Sequence, residues 1–293
     1  MAIDPQGSSA RQVLRSPNRR TRAVENRLND LTAKEWVPET VSVWVQRGLG
    51  KGHEHAKIER LHPAPFSFQD VARLVRFFSK TGETVLDPFA GVGSSLKAAA
   101  TEGRSGIGIE LNARYAQLAR QRLRSEVPPE VLARHPQRVL RGDARRLLAK
   151  LPPNSVKLVV TSPPYWSILH KTDHKARQER IEQGLDTRYS DDAADLGNIE
   201  KYEDFIREIA NTLALTRRCL VPGGHLCVVV GDFRHKSQYH MLHADLTQAL
   251  TALGFTLKGL KILYQKHKRV FPYGFPYAYV PNLHHQYIII LSR

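Results

Sequence analysis

The segment that most constrains the fold of this chain is a short apolar run that two prolines end abruptly. Residues 156–160 read Val-Lys-Leu-Val-Val, and residues 161–166 continue as Thr-Ser-Pro-Pro-Tyr-Trp. A run rich in β-branched residues that stops at a turn signal is typical of a buried strand. Because proline carries no backbone N–H, the turn offers carbonyl acceptors but few donors. We therefore expect a strand whose carboxyl end opens on an acceptor-rich turn.

The chemistry of this turn suits a planar base that carries an exocyclic amine. Ser162 adds a hydroxyl acceptor beside the carbonyl groups around Pro163 and Pro164. Tyr165 adds a flat ring on which a base can stack. The alternative interpretation is a proline-terminated strand whose aromatic residues, Tyr165 and Trp166, pack into the core. The hexapeptide alone leaves both interpretations open.

The charge of the chain favours a polyanionic partner. Its 293 residues include 44 Lys and Arg against 28 Asp and Glu, a formal net charge of +16. Such a surplus indicates nucleic acid, the alternative being a basic protein without such a partner.

No apolar run reaches membrane-spanning length and the N-terminus lacks a secretory apolar region, so we expect a cytoplasmic protein with no membrane partner. Cys219 and Cys227 are too few and too widely spaced for a disulfide framework or a zinc ribbon, and no metal is expected.

The sequence predicts a basic arm followed by one large domain. Residues 1–30 contain six arginines and few large apolar residues, which predicts a flexible arm that either contacts phosphates or merely solubilises the chain. Residues 31–293 form the predicted domain. Two segments within it, 167–199 and 265–284, lack helix or strand periodicity and are candidate insertions for nucleic-acid recognition. The alternatives are disorder for the first segment and a plainly structural loop for the second.

A second strong pattern predicts a strand, a glycine turn and a helix over residues 84–100. The turn contains Gly91 and Gly93, and glycines let a backbone approach a ligand closely. The helix that follows favours negative groups at its N-terminus. A single Gly-x-Gly is weak evidence, since many tight turns contain one.

Acidic residues at the ends of three predicted strands strengthen this interpretation. Asp87 ends the strand before the glycine turn, Glu110 ends the next strand, and Asp143 ends the one after it. In a parallel sheet these ends meet in one crevice together with Ser162. The alternative is that each acid only caps the helix after it, which explains the set poorly. We therefore predict an α/β fold with a doubly wound, mostly parallel, seven-stranded sheet.

The two motifs together resemble those of the DNA amino-methyltransferases, the cytosine-N4 and adenine-N6 modification enzymes. The stretch Asp-Pro-Phe-Ala-Gly-Val-Gly-Ser at 87–94 is similar to their S-adenosylmethionine loop, and Thr-Ser-Pro-Pro-Tyr at 161–165 is similar to their catalytic motif. Further similarity lies at 62–64, at 195–199, at 231–234 and at 285–288. The resemblance extends from about residue 30 to the end and implies a class I S-adenosylmethionine-dependent methyltransferase fold.

The resemblance also implies roles for individual residues. It assigns Ser162, Pro163, Pro164 and Tyr165 to catalysis. Glu110 would bind the ribose hydroxyls of S-adenosylmethionine and Asp143 its adenine. The remaining cofactor-binding positions, most of them at the methionine end, are His62, Pro63, Ala64, Asp87, Pro88, Phe89, Gly91, Gly93 and Ser94.

The reaction that the resemblance implies is methyl transfer to an exocyclic amine of a DNA base that has flipped out of the duplex. The position of Ser162 is usually Ser in the cytosine-N4 enzymes and Asp or Asn in the adenine-N6 enzymes. Cytosine N4 is therefore the expected target, with adenine N6, an RNA substrate and a non-catalytic nucleic-acid-binding protein as alternatives. A cognate restriction enzyme is a candidate partner. A dinucleotide-dependent oxidoreductase is disfavoured, because Leu96 occupies the position of the third glycine in the pattern Gly-x-Gly-x-x-Gly.

Overall fold

The computed structural model describes residues 25–46, 56–59, 61–62, 67–166, 192–266 and 268–293. The strands, in chain order, are β1 (Val43–Val45), β2 (Thr84–Asp87), β3 (Ser105–Glu110), β4 (Gln137–Arg141), β5 (Val156–Thr161), β6 (Leu220–Val230), β7 (Phe233–His235), β8 (Gln238–His240), β9 (Thr256–Tyr264) and β10 (His285–Ser292). The helices are α1 (Ala33–Glu39), α2 (Ala56–Glu59), α3 (Phe68–Phe78), α4 (Ser94–Thr101), α5 (Ala113–Glu126), α6 (Pro129–Arg134), α7 (Ala144–Leu148), α8 (Tyr202–Cys219) and α9 (Leu242–Ala252).

In the described part of the chain, eight strands form one sheet in the order β1-β9-β10-β6-β5-β2-β3-β4. All of them run in the same direction except β10, which is antiparallel to both of its neighbours. The prediction of a mostly parallel sheet is therefore confirmed. The count of seven strands was one too few, because the three-residue strand β1 adds an edge beside β9. A small hairpin, β7 with β8, lies outside this sheet.

Helices cover both faces of the sheet, as expected of a doubly wound fold. On one face, α3 packs Val71, Leu74 and Val75 into a core that also contains Leu158 of β5. On the other face, α8 contributes Phe205, Ile209 and Leu213, among others, to a second core. The apolar residues of each helix recur every three to four positions, so one stripe of the helix faces the sheet.

The central strand β5 is the predicted apolar run, and the structure buries it on both faces. Of its residues only Lys157 is partly exposed. The strand order reverses between β2 and β5, since the chain proceeds outward from β2 through β3 to β4 and then returns to β5. Such a reversal leaves a crevice at the carboxyl ends of the strands, where ligands bind in open α/β sheets.

The end of the predicted arm packs on the domain. Asn29 is buried and donates a hydrogen bond to the carbonyl oxygen of Phe77 at 2.6 Å. Asp30 accepts from the backbone and the hydroxyl of Thr81. These bonds hold the last residues of the predicted arm on the domain, and residues 1–24 lie outside the described part of the chain.

The two predicted insertions have different outcomes. Residues 167–191 lie outside the described residues, but 192–199 form a turn and a short 3₁₀ helix in which Asp195 and Leu196 are buried. This part of the predicted insertion therefore packs on the domain, although it lacks the periodicity of a regular element. The described residues between 265 and 284 connect β9 to β10 without a helix or a strand. Among the described residues, no helix is long and apolar enough to cross a membrane.

Candidate active site

A cavity opens at the carboxyl edge of the sheet, over the point where the strand order reverses. It contains about 720 Å³ of open space, including the part that is continuous with solvent. The expected site residues in its wall are His62, Pro88, Phe89, Gly91, Glu110, Asp143, Ser162, Pro163 and Pro164.

The strand order sets the sequence of chemical groups along this cavity. Asp143 follows β4, Glu110 ends β3, Pro88 and Phe89 follow β2, and Ser162 follows β5. Because β4, β3, β2 and β5 are adjacent in that order and strands lie about 4.8 Å apart, the row spans roughly 14 Å. An elongated ligand can therefore contact all four strand ends at once.

Asp87 holds the glycine turn together from behind the cavity. Its carboxylate accepts hydrogen bonds from the Phe89 N–H at 3.0 Å, the Ser95 hydroxyl at 2.5 Å and the Thr161 hydroxyl at 2.6 Å. Burial raises the pKa of Asp87 to about 6, although these three donors act to lower it. Asp87 does not line the cavity, and it ties the end of β2 to the end of β5.

The glycine turn brings its backbone to the cavity at Gly91. Gly91 has a φ of +51°, and a Cβ atom there would lie 3.2 Å from Nε2 of His62. A side chain at this position would be strained and would crowd the imidazole, so glycine lets His62 pack closely on the turn. His62 in turn lies edge-on to Tyr115, with 4.9 Å between ring centroids. The expected neighbours Pro63 and Ala64 lie outside the described residues.

Two other expected cofactor residues face the helices behind the turn. Gly93 precedes α4 and packs so closely on Ala119 of α5 that a Cβ atom would lie 3.0 Å from the Ala119 methyl carbon. Ser94 is buried, and its hydroxyl accepts from the guanidinium of Arg122 at 2.8 Å. Both residues shape the turn without forming part of the cavity wall.

Glu110 lines the cavity at the end of β3. Its two oxygens accept from the backbone N–H groups of Gly91 at 2.8 Å and Asn112 at 2.7 Å. Burial raises the pKa of Glu110 to about 7, with smaller contributions from the charges of Asp87 and Asp195, while the two N–H donors act to lower it. A group with this pKa changes its charge near neutral pH.

Asp143 has the opposite electrostatic setting, because it pairs with Arg145. Two nitrogens of the guanidinium lie 2.9 to 3.1 Å from the carboxylate oxygens, and the Arg145 backbone N–H adds a further bond at 2.9 Å. Burial favours a higher pKa, but the hydrogen bonds and charge of Arg145 outweigh it and lower the pKa of Asp143. Arg145 also donates to the carbonyl oxygen of Ala194, so it connects this strand end to the 192–199 segment.

Residues 162–165, which we call the proline turn, form the other end of the cavity. Ser162 and Pro164 are half-buried and Pro163 is buried, and all three line the wall. Tyr165 does not line it: its hydroxyl accepts from Nε2 of Gln286 at 2.8 Å, and burial raises the pKa of this phenol. Trp166 packs in the core and donates from Nε1 to the carbonyl oxygen of Ile199 at 2.8 Å.

Several wall residues were not predicted as site residues. Asn112 caps α5 by accepting from the backbone N–H groups of Arg114 and Tyr115, and this places it beside Glu110. Residues 194–196 close the Asp143 end of the cavity. The similarity noted at 195–199 was the signal that could have identified them. Tyr115 carried no such signal, since its spacing on α5 is that of an ordinary core residue.

Curated relatives match short parts of this chain. The Type II methyltransferase M.MjaI of Methanocaldococcus jannaschii is 45% identical over 64 residues, which cover 22% of this chain and 21% of the relative. The Type II methyltransferase M.BglI of Bacillus subtilis is 35% identical over 91 residues, or 31% of this chain and 24% of the relative. The chain thus spans less than a third of the length of either relative.

A solved structure also matches part of the chain. TTHA0409 of Thermus thermophilus, determined in complex with S-adenosyl-L-methionine, is 31% identical over 52% of this chain and 53% of its own, with a TM-score of 0.36.

A family model also matches this chain. The DNA methylase family of N6 and N4 methyltransferases matches residues 7–121 and 156–291, most of the chain. Both motifs, the glycine turn and the proline turn, lie within the matched residues. The family predicted from these motifs is therefore confirmed, and with it S-adenosylmethionine as the cofactor. The chain belongs to the DNA methylase family.

Proposed function

We propose that this chain transfers a methyl group from S-adenosylmethionine to an exocyclic amine of a DNA base, with cytosine N4 as the target. The observation that supports this most strongly is the order of groups along the cavity. Asp143 and Glu110 lie on one side of the glycine turn, and the proline turn with Ser162 lies on the other. A cofactor that extends from Asp143 to the glycine turn brings its methyl end towards the acceptor-rich turn.

The residues at the carboxyl ends of β4, β3 and β2 fit the cofactor. Glu110 uses one lone pair of each carboxylate oxygen for a backbone N–H, so both oxygens can accept further bonds from vicinal ribose hydroxyls. Asp143 is held in its charged form by Arg145, which suits an acceptor for an adenine amine. Gly91 and His62, which both line the cavity, would contact the methionine end. When bound, S-adenosylmethionine supplies an electrophilic methyl group on a positively charged sulfur.

The proline turn supplies what the acceptor amine needs. The lone pair of an amine conjugated to a base ring is delocalised, which makes it a weak nucleophile. Ser162 Oγ and the Pro163 carbonyl oxygen would accept the two N–H hydrogens and orient the nitrogen lone pair towards the methyl group. Catalysis then rests on positioning and on electrostatics. The nitrogen would attack the methyl carbon directly as the carbon–sulfur bond breaks to leave a neutral thioether, and the methylated amine would then lose one of its two protons to solvent. This reaction needs no cysteine nucleophile, and both Cys219 and Cys227 are buried in the core.

A base inside a duplex cannot reach a turn set into this cleft, so the target base must leave the helix. Tyr165 is the proposed stacking face for the flipped base. Its hydroxyl is held by Gln286, and a ring fixed in this way loses little side-chain entropy when a base stacks on it. Trp166 supports the turn from the core side.

The choice of cytosine rests on Ser162. A short hydroxyl suits the smaller pyrimidine ring, and this position is usually Ser in the cytosine-N4 branch of the family. The proposed location is the cytoplasm. A cognate restriction enzyme is the proposed partner, in keeping with the Type II methyltransferases among the relatives.

The test is to identify the methylated product. DNA treated with the purified chain and S-adenosylmethionine should yield N4-methylcytosine when digested to nucleosides and analysed by mass spectrometry. Ser162→Ala should lose most turnover, about 10²-fold or more if it removes a transition-state hydrogen bond, and should keep cofactor affinity by calorimetry. N6-methyladenine as the sole product would overturn the cytosine assignment, and methylation of matched RNA alone would overturn the DNA assignment.

A further inference from the structure

The segment 265–284, which we call the aromatic loop, emerges at the same edge of the sheet as the cavity. It follows β9, and β9 runs parallel to the strands that carry the site residues. It then enters β10, where Gln286 binds the hydroxyl of Tyr165. The strand that follows the aromatic loop is therefore connected to the proline turn by one side-chain hydrogen bond.

The aromatic loop displays its largest rings to solvent. Phe275 is 82% exposed, Tyr277 is 94% exposed and Tyr279 is 87% exposed. Large aromatic side chains are usually buried, and a group of exposed ones marks an interaction surface.

The backbone of the aromatic loop is organised although its rings are exposed. The amide group of Asn282 exchanges two hydrogen bonds with the backbone of Phe271, at 2.9 and 2.8 Å, and so ties the two sides of the loop together. At the tip, the Gly274 carbonyl oxygen accepts from the N–H groups of Tyr277 and Ala278, both at 2.7 Å. The chain thus uses specific bonds to hold a turn that carries exposed rings.

The charge of the aromatic loop indicates the chemistry of its partner. Lys266, Lys268 and Arg269 are exposed at its start, and residues 265–284 contain no Asp or Glu. A second copy of this chain would present the same positive charge, which opposes pairing of two such loops. A polyanion with flat apolar groups matches both the charge and the rings.

We propose that the aromatic loop binds unpaired bases of the DNA substrate by stacking them on Phe275, Tyr277 and Tyr279, an inference that rests on DNA as the proposed substrate. In a closed duplex the faces of the bases are covered by their neighbours, so exposed rings can stack only on bases that have left the helix. Lys266, Lys268 and Arg269 would neutralise the phosphates of the same strand. The loop therefore favours DNA that is locally opened or single-stranded.

The experiment compares the affinity of the full chain for three labelled DNAs of one sequence: a duplex, the duplex with three mismatched pairs at its centre, and one strand alone. Fluorescence anisotropy gives the affinity ratio of mismatched to perfect duplex for each variant. The wild type should favour the mismatched and single-stranded DNAs. Replacing Phe275, Tyr277 and Tyr279 together by Ala should reduce that ratio by about 5-fold or more, the weak end of base–aromatic stacking.

Three further variants make the result specific. Tyr277→Phe with Tyr279→Phe keeps the rings and should keep the ratio, whereas Leu at all three positions keeps apolar area without a π-face and should lose it. The matched control replaces Leu215, Leu253 and Leu257 by Ala, because these side chains are exposed by 39 to 41% and lie near the opposite edge of the sheet. The control should keep the wild-type ratio.

Different results would overturn the inference or the proposed function. An unchanged ratio in the alanine variant, or a ratio preserved by leucine, overturns the stacking role. The stacking role is also overturned if light scattering shows that the wild type is a dimer and the alanine variant a monomer, while the affinity ratio of mismatched to perfect duplex is the same for both. If the chain methylates DNA and the ratio does not depend on the rings, only the loop inference fails. If the rings set the ratio but no methyl group is transferred, only the proposed reaction fails.

Discussion

The carboxylates at the three strand ends have different proton affinities because their surroundings differ. Asp143 is paired with Arg145, and its pKa is lowered. Asp87 and Glu110 accept hydrogen bonds from hydroxyl and backbone N–H groups, which are neutral donors, and burial raises their pKa values to about 6 and about 7. Of these two, Glu110 lines the cavity. The affinity for a bound cofactor would therefore depend on the protonation of Glu110.

Cofactor affinity should depend on pH through Glu110. Ribose hydroxyls donate to the ionised carboxylate, so binding favours loss of the proton and should strengthen as the pH rises through about 7. For a pKa of about 7, affinity at pH 6 should be roughly tenfold weaker than at pH 8. Calorimetry in two buffers of different ionisation enthalpy would measure both the affinity and the proton released.

The control for this experiment is Glu110→Gln, which cannot ionise. Its affinity should be weaker than that of the wild type at pH 8, by about 1–3 kcal/mol, and nearly independent of pH. A wild-type affinity that is flat between pH 6 and pH 8 would contradict the assignment of Glu110 to the ribose. The same pKa has a consequence for stability: the unfolded chain releases this proton near its ordinary pKa of 4.5 and the folded chain near 7, so stability falls over that range.

At the scale of elements, a buried charge network holds the helices behind the glycine turn. Arg122 of α5 is fully buried and donates to Glu59 of α2 at 2.7 Å, to Glu126 at 3.0 Å and to Ser94, the first residue of α4, at 2.8 Å. Lys97 of α4 adds a bond to Glu126 at 2.6 Å, and burial lowers the pKa of this lysine. Three helices thus meet at one guanidinium.

Removing this guanidinium should destabilise the domain strongly. Arg122→Met leaves Glu59 and the Ser94 hydroxyl without their partner in a buried setting, and the loss of one partner of a buried ion pair costs about 3–5 kcal/mol. The control is Arg207→Ala, which removes an exposed pair with Asp204 and should cost less than about 1 kcal/mol. Urea unfolding of both variants measures the difference, and equal midpoints would mean that the network adds nothing.

Elements with a local signature could be predicted from sequence. A few adjacent residues specify each of these elements: the proline turn, the glycine turn and the strands that end in Asp87, Glu110 and Asp143. Their meeting at one edge followed from the rule that parallel strands share a carboxyl edge. Contacts between distant parts of the chain had no such signature: Gln286 binds Tyr165 across 121 positions, and Arg122 reaches Glu59 across 63.

Short elements and docked segments were also beyond prediction. β1 has three residues, of which only Trp44 is buried, so it shows too little alternation to be counted as a strand. The 192–199 segment has no periodicity because it is held by individual bonds, such as that from Trp166 to the carbonyl oxygen of Ile199. A segment held in this way resembles an irregular insertion until its partners are known.

At the scale of the whole molecule, the groups proposed to act on DNA lie along one edge of the sheet. The cavity, the proline turn and the aromatic loop all lie at the carboxyl edge. Residues 1–24 add five arginines and a single acid, Asp4, to a chain whose net charge is +16. Their charge attracts phosphates without selecting a base, so we expect them to raise affinity for every sequence equally.

Truncation should separate the charge of the N-terminal segment from its structural part. Deleting residues 1–24 should weaken DNA binding at physiological salt and flatten the dependence of affinity on salt, by about 0.9 in the log–log slope for each phosphate that the protein no longer neutralises. Cofactor affinity and the melting temperature should not change. Deleting residues 1–30 should also lower the melting temperature, because it removes the bonds of Asn29 to Phe77 and of Asp30 to Thr81. Replacing the five arginines by Lys in the full chain should keep the slope, and a slope that is the same with and without residues 1–24 would show that this segment does not bind DNA.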